Sequence, residues 1–297
     1  MIYKVETIYE LHEISGFEKP RHPLITVIDY SKVDISNGPK SGSFSCGFYS
    51  VNFKNNCTFS YGRQSFDHKE GTLFCTAPGQ IITYHKEENA SKIEGLGLFF
   101  HPELIRRSNL GNKINDYGFF KYSENEALHL SDCEKDTLFA LIKQIESEYN
   151  TNIDSFSQKI IISNIELLLN YCQRFYNRQF LTRTNYNKDV IAEFENFIVE
   201  YINSGKIKEL GLPSVRFCAE AMHLSPNYFS DLLKSETGKN AQEHIHHFVL
   251  EKAKNLLAGS NLNVNEIAFE LGFEYPQNFS KLFKKKMGIS PSLYRLS

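Results

Sequence analysis

The period of the apolar positions changes part-way along this chain. In the first hundred residues, Leu24–Ile28, Phe44–Phe53 and Ile93–Phe100 alternate or run apolar and are rich in β-branched and aromatic side chains, the signature of strands. Turn-forming clusters at 37–40, 55–56 and 77–80 separate them. Short strands with regular turn punctuation predict a small barrel or jelly roll. Farther on the period becomes helical. A helix is expected over 131–148, with Leu138, Leu141, Ile142 and Ile145 on one side, and another over 154–176, with Ile161, Ile165, Leu168, Leu169 and Cys172 at helical spacing. The polar stretch 177–188 reads as a linker, and a further helix over 189–204 follows it.

The C-terminal hundred residues repeat themselves. Ala219, Phe229, Ser230, Leu232 and Lys234 correspond to Ala268, Phe279, Ser280, Leu282 and Lys284, with one residue inserted in the second turn, and the copies close at Gly238 and Gly288. Each copy reads as helix, tight turn, helix. An alanine suits the closest approach of the two helices. Four residues on, the turn requires a left-handed backbone, which Gly272 adopts readily. The first copy places His223 there, one of the better-tolerated non-glycine residues. Ser225-Pro226 and Tyr275-Pro276 then mark helix starts, with proline where its missing N–H costs nothing. Phe229, Leu232 and Leu233, like Phe279, Leu282 and Phe283, fall on faces that must be buried. Two such units can lay their second helices in two major-groove segments without a partner subunit.

Residues 212–295 resemble the DNA-binding domain of the AraC family of transcriptional regulators. The resemblance is carried by Ile267–Phe273, Asn278–Lys284 and Gly288–Arg295, with Leu224–Phe229 and Glu251–Leu257 matching as well. It implies seven helices, the long one joining the two helix-turn-helix units. It also implies base reading from Asn227, Ser230 and Asp231 in the first unit and from Pro276, Gln277, Asn278 and Lys281 in the second. Two positions depart from the family's habit. Asp231 replaces a frequently basic residue and can only accept from a base amino group, and Pro276 offers no side-chain hydrogen bond. The first unit is therefore expected to position and the second to read. Lys234, Lys284 and Lys285 are assigned to phosphates. The segment Gly71–Gln80 is similar to the strand-turn signature of the cupin-like sensor domains that precede this domain in many members. That similarity implies a barrel able to hold a small effector, closed by the first twenty residues as an arm, and a homodimer through the helix carrying Ile165 and Leu169. By the family's habit the expected role is activation, with double-stranded DNA, a small-molecule effector and RNA polymerase as partners.

Charge refines this locally. The chain is formally −2, so there is no global basic signature. From Tyr275 onward, however, five Lys or Arg residues occur and no acidic one, which favours phosphate contact and a salt-dependent affinity. The length of 297 residues suits two domains. No apolar run is long enough for a membrane span, and the first residues lack the form of a signal peptide. The cysteines at 46, 57, 75, 133, 172 and 218 show no Cys-x-x-Cys spacing, as expected of reduced thiols in a cytoplasmic protein. Cys46, Cys57 and Cys75 are the candidates for a redox role.

These readings give a two-domain α+β chain. A cupin-like effector-sensing β-barrel spans 1–125, a helical dimerisation segment 126–177, a linker 178–188, and an all-α domain with two helix-turn-helix units 189–297. Tyr49, Tyr61, Arg63, His68, Tyr84 and His85 are the candidates for lining an effector pocket. A cupin-type metalloenzyme fused to a DNA-tethering module is the alternative in another class. It requires clustered metal ligands, and His68, His85 and His101 are scattered, while His244, His246 and His247 fall on one trailing helix. No catalytic residue, metal or cofactor is therefore expected. A third reading is an effector-independent DNA-binding protein whose barrel serves assembly.

Overall fold

The computed structural model describes residues 2–32, 41–55, 60–61, 64–65, 71–85, 94–123, 126–151 and 154–296. The chain divides into two compact units, Met1–Gln179 and Phe180–Ser297.

The strands of the first unit are β1 (Ile2–Val5), β2 (Ile25–Asp29), β3 (Ser41–Cys46), β4 (Tyr49–Asn55), β5 (Ser60–Tyr61), β6 (Gln64–Ser65), β7 (Thr72–Thr76), β8 (Ile81–His85), β9 (Glu94–Phe100) and β10 (Leu128–His129). They form a five-stranded antiparallel sheet ordered β10-β7-β4-β9-β2, a three-stranded sheet ordered β1-β3-β8, and the small β5-β6 pair. Among the described residues these ladders leave edges open, so the expected closed barrel is not found. Strand β1 lies parallel to β3 and takes its outer edge. The N-terminal segment, expected to close the barrel as an arm, is an edge strand in which Val5 is buried while Ile2, Tyr3 and Lys4 are exposed. Val5, and Ile8 of helix α1 (Ile8–Ile14), pack with Ile28, Phe48 and Phe99.

Side chains alternate across β4. One face of the large sheet meets helices. Phe53 packs edge-on against Phe139 of α4 (Asp132–Asn150) at 5.1 Å, and Tyr149 of α4 accepts a hydrogen bond from Val27 N–H at 2.9 Å. Helix α4 starts at the capping box Ser131/Glu134, close to its expected position. Shorter helices α2 (Pro102–Ile105) and α3 (Asn109–Lys113) lie between the last long strand and α4.

Helix α5 runs from Ser157 to Thr182 and departs from two expectations. First, Ile165 and Leu169 are fully buried within their own unit, so they do not form a surface for a second subunit. The large apolar side chains that α5 leaves exposed are Ile160, Leu167 and Leu181. Second, the stretch expected as a linker is helical. It contains neither Pro nor Gly, and its polar residues are engaged. Arg178 forms a bidentate pair with Glu134 and donates to His129 O, while Gln179 bridges His129 N and Ala127 O. The only break is at Arg183, before α6 (Thr184–Asn203).

The second unit continues with α7 (Lys206–Leu210), α8 (Val215–Ala221), α9 (Pro226–Thr237), α10 (Ala241–Gly259), α11 (Val264–Glu270), α12 (Pro276–Met287) and α13 (Pro291–Leu296). Helix α10 starts at the capping box Asn240/Glu243, and α11 at Asn263/Glu266. Phe194 of α6 is fully buried against Phe229 of α9, with ring centroids 5.0 Å apart.

Candidate nucleic-acid interface

The two sequence copies fold into matching helix-turn-helix units, α8-α9 and α11-α12. Their turns share a hydrogen-bond pattern. Leu224 N–H donates to Ala219 O at 2.9 Å, and Phe273 N–H to Ala268 O at 3.0 Å. His223 N–H donates to Glu220 O at 3.1 Å, and Gly272 N–H to Phe269 O at 3.0 Å. Ala219 and Ala268 are fully buried, as expected of the closest helix approach. His223 has φ 56 and Gly272 has φ 76. Both second helices end at left-handed glycines, Gly238 and Gly288, each donating to the carbonyl four residues back at 2.9 Å.

Space explains why only one turn needs glycine. A Cβ on Gly272 would lie 2.2 Å from the Ile207 carbonyl oxygen, well inside any tolerable contact. His223 is exposed, so the first turn carries a side chain at the cost of a strained φ alone.

The outward faces of α9 and α12 differ. Helix α9 buries Tyr228, Phe229, Leu232 and Leu233. Its candidates Asn227, Ser230 and Asp231 are half-buried, and Lys234 is exposed. Ser230 Oγ also accepts from Ala241 N–H at 3.5 Å, so part of its capacity is engaged inside the fold. Helix α12 buries only Phe279 and Phe283. Gln277, Asn278, Lys281, Lys284 and Lys285 are exposed, and Pro276 is half-buried at the first helical position. Ser225 caps α9 by accepting from Tyr228 N–H at 3.3 Å, whereas Tyr275 at the start of α12 makes no side-chain cap.

The basic cluster is less uniform than its sequence suggests. Lys286 pairs with Glu243 of α10 at 3.3 Å. The Asn240 backbone N–H, and then Lys286, hold the Glu243 carboxyl below its usual range. Arg295 donates to the carbonyls of Leu257 and Leu262, at 3.2 and 2.6 Å, and so ties α13 to the end of α10. The cations left facing outward from α12 are Lys281, Lys284 and Lys285. The trailing histidines are structural in setting. His244 is buried and lies 2.8 Å from Thr237 Oγ1. Burial holds both His244 and His246 below the usual histidine range.

Of the effector candidates, Tyr49 packs between Phe100 and Phe120, at 5.3 and 5.0 Å. Burial raises its phenol above the ordinary range. The backbones of Tyr61, Tyr84 and His85 lie in β5 and β8, while Arg63 and His68 fall outside the described residues. Sequence reasoning missed a different set. On the face of β4 opposite Val51 and Phe53, Asn52 Nδ2 donates to Ser50 Oγ at 2.7 Å, and Ser50 and Thr76 hydroxyls share a 2.6 Å hydrogen bond. The Tyr30 hydroxyl donates to Asn52 Oδ1. The signal was available: Ser50 and Asn52 are polar positions alternating with Val51 and Phe53 in a strand flanked by others. Among the redox candidates, burial pushes the Cys46 thiol up to about 11 and holds Cys75, beside Cys172, well above its usual range. Both effects disfavour the reactive thiolate. Cys57 lies outside the described residues.

Comparison with known proteins bears on the second unit. The family description "Helix-turn-helix domain" matches residues 218–297. The chain is 36% identical over 128 residues to an uncharacterized HTH-type transcriptional regulator, YijO, of Escherichia coli K12, covering 43% of this chain and 42% of that protein. It is 26% identical over 241 residues to the uncharacterized regulator YfiF of Bacillus subtilis 168, covering 79% of this chain and 71% of that protein. Among solved structures it is similar to the C-terminal domain of the two-component response regulator yesN from Fusobacterium nucleatum, with 33% identity, 32% of this chain, 95% of that chain and a TM-score of 0.27. The chain spans less than half the length of YijO, and 44% of YobQ from Bacillus subtilis 168. Residues 218–297 thus carry a helix-turn-helix domain, similar to the domain of these transcriptional regulators.

Proposed function

We propose that the protein is a sequence-specific transcriptional regulator that reads DNA through α12 and anchors on it through α9. The observation that carries this reading is the pair of turns with one hydrogen-bond pattern, each followed by a helix with a polar outer face, inside a matched helix-turn-helix domain. On α12, Gln277 and Asn278 are the base readers, since both amides can pair bidentately with adenine. Lys281 reads alongside them, and Lys284 and Lys285 follow the phosphates. On α9, Asn227, Ser230 and Asp231 contribute less, because they are half-buried and include a carboxylate, and Lys234 holds the backbone. Replacing Gln277 or Asn278 with alanine is expected to cost about 1–3 kcal/mol of discrimination between cognate and scrambled duplexes. Equal loss on both duplexes speaks against base reading.

The first unit is proposed to sense a small effector and to bias the second. Supporting this is the uncharged chain Tyr30–Asn52–Ser50–Thr76, in which Asn52, Ser50 and Thr76 are buried, on the sheet face opposite α4. Interior hydroxyl and amide groups are costly unless satisfied, and such groups commonly orient ligands. The cupin-like character of this unit, its effector and its sign of regulation, taken as activation with RNA polymerase as partner, belong to the same proposal. No catalytic role is assigned. Among the described residues no group of His, Cys, Asp and Glu could hold a metal ion, and no helix is long and apolar enough to cross a membrane. We place the protein in the cytoplasm as a homodimer through the exposed face of α5, on which Ile160 and Leu167 lie two turns apart. A thermal-shift screen of cell metabolites tests the sensing role: a ligand that raises the melting temperature and alters DNA affinity supports it, and a screen in which no ligand does so points to a first unit that serves assembly.

A further inference from the structure

The residues that lead into the first helix-turn-helix unit also brace the second. The segment Gly205–Gly211 begins and ends with left-handed glycines, φ 82 and 81, enclosing the single-turn helix α7. Its backbone lies directly on the second turn. The Ile207 carbonyl and the Gly211 Cα occupy the space where a Gly272 side chain would project, 2.2 and 3.0 Å from an ideal Cβ. Lys208 Nζ reaches Glu270 Oε1, at the last residue of α11, at 2.5 Å. The Tyr201 hydroxyl donates to Gly211 O at 3.0 Å and ties the segment back to α6. Ile207 itself is buried. In the first turn, by contrast, the corresponding residue His223 is exposed.

Helix α6, continuous in sequence with this segment, grips the first reading helix. Phe194 packs on Phe229, and Asn187 Nδ2 donates to Glu236 Oε1 at 2.7 Å. The stretch α6-α7 therefore holds α9 at one end and the α11-α12 turn at the other. Helix α10 makes the second connection between the units. One connection leaves a hinge, whereas two fix both the angle and the rise between α9 and α12.

We infer that Gly205–Gly211 is a positioning strap that sets the spacing of the two reading helices and makes the protein select DNA sites by the phase between their two half-elements. The inference rests on the DNA-reading function proposed above. One base pair inserted between the half-elements moves the second by about 3.4 Å and turns it by about 34°. A twice-braced unit does not follow that movement, so it forfeits one set of contacts. A singly connected unit can.

The test uses the full-length chain and a duplex enriched from a random library by that chain. Variants of the duplex carry one base pair more or fewer between the two protected segments, and affinity is read by fluorescence anisotropy. The wild-type protein is expected to lose about tenfold or more at either altered spacing, the size of a good base contact. Ile207→Ala should bind the parental duplex within a few-fold of wild type while its penalty for altered spacing falls to about threefold or less. The ratio of affinities, rather than the affinity, is the readout, since general destabilisation weakens all spacings together. If Ile207→Ala does not fold, the double variant Lys208→Ala/Glu270→Ala, at exposed positions, is expected to shift the ratio the same way. Wild-type protein that binds all spacings equally overturns the strap but leaves DNA reading intact, and so do variants that keep the wild-type penalty. Failure of the wild-type chain to enrich any duplex overturns the reading and the strap together.

Discussion

Two adjacent lysines on α12 should behave differently. Lys285 is exposed, while Lys286 is paired with Glu243 at 3.3 Å. Each phosphate neutralised by a lysine releases condensed counterions and adds about −0.9 to the slope of log K against log salt. Lys284 and Lys285 together therefore give α12 a contribution of about −1.8. Lys285→Ala should make the slope shallower by about 0.9, which amounts to roughly 3.5-fold in affinity between about 50 and 200 mM salt. The change should be the same on cognate and scrambled duplexes, because phosphates carry no sequence. Lys286→Ala should alter the slope by clearly less, since Glu243 already competes for its charge. Glu243→Gln should release Lys286 and steepen the slope. Anisotropy titrations at four salt concentrations measure all three. Equal slopes for Lys285→Ala and Lys286→Ala, or a loss confined to the cognate duplex, refute the assignment.

Other outcomes follow from the same geometry. Gly272→Ala should destabilise the second unit by at least about 1–2 kcal/mol, the cost of a left-handed side chain, because it must also displace the Ile207 carbonyl. His223→Gly should leave the melting temperature nearly unchanged, and similar effects for the two variants would remove the packing argument. Phe194→Ala should cost about 3–5 kcal/mol, read by denaturant unfolding. A loss below about 1 kcal/mol would deny that this ring anchors α6 to α9. The folded-state values of His244 and His246 lie below the unfolded value of about 6.5, so their neutral forms are favoured on folding. That stability is complete above about pH 6.5 and is lost as the pH falls toward the folded values. The melting temperature should drop on acidification from pH 7.5 to 5.5, and less steeply in His244→Gln; identical slopes would exclude His244 as a contributor. Leu167→Glu should yield folded monomers by sedimentation, while Leu169→Glu should unfold the first unit. A folded, monomeric Leu169→Glu protein would restore the buried stripe as an interface.

The helix-turn-helix units were legible because their determinants are local. A hydrogen bond spanning five residues, a small residue and a left-handed turn fit within one short window and recur in the second copy. The strap was not legible. Gly205 and Gly211 look like ordinary turn residues, and Gly272, against which Gly211 packs, lies far along the chain. Strand positions were readable from alternation at Val51 and Phe53, but which strand pairs with which depends on distant segments. The pairing of β1 with β3 and the open edges therefore escaped. Helix α5 shows two limits of pattern reading. Its apolar stripe announced burial without saying whether the burying surface belonged to the same chain. Its polar tail looked like a linker because Arg178 and Gln179 are hydrophilic, yet both are bonded to groups that precede the helix.

The central claim is that two helix-turn-helix units of one chain read a duplex together. Selection from a randomised duplex library by the full-length protein, followed by footprinting of the winners, tests it most directly. The account predicts an enriched motif, protection over two successive major-groove segments, and strongest base discrimination beneath Gln277 and Asn278. Uniform retention of all sequences by a folded protein, or protection of a single segment, would contradict it.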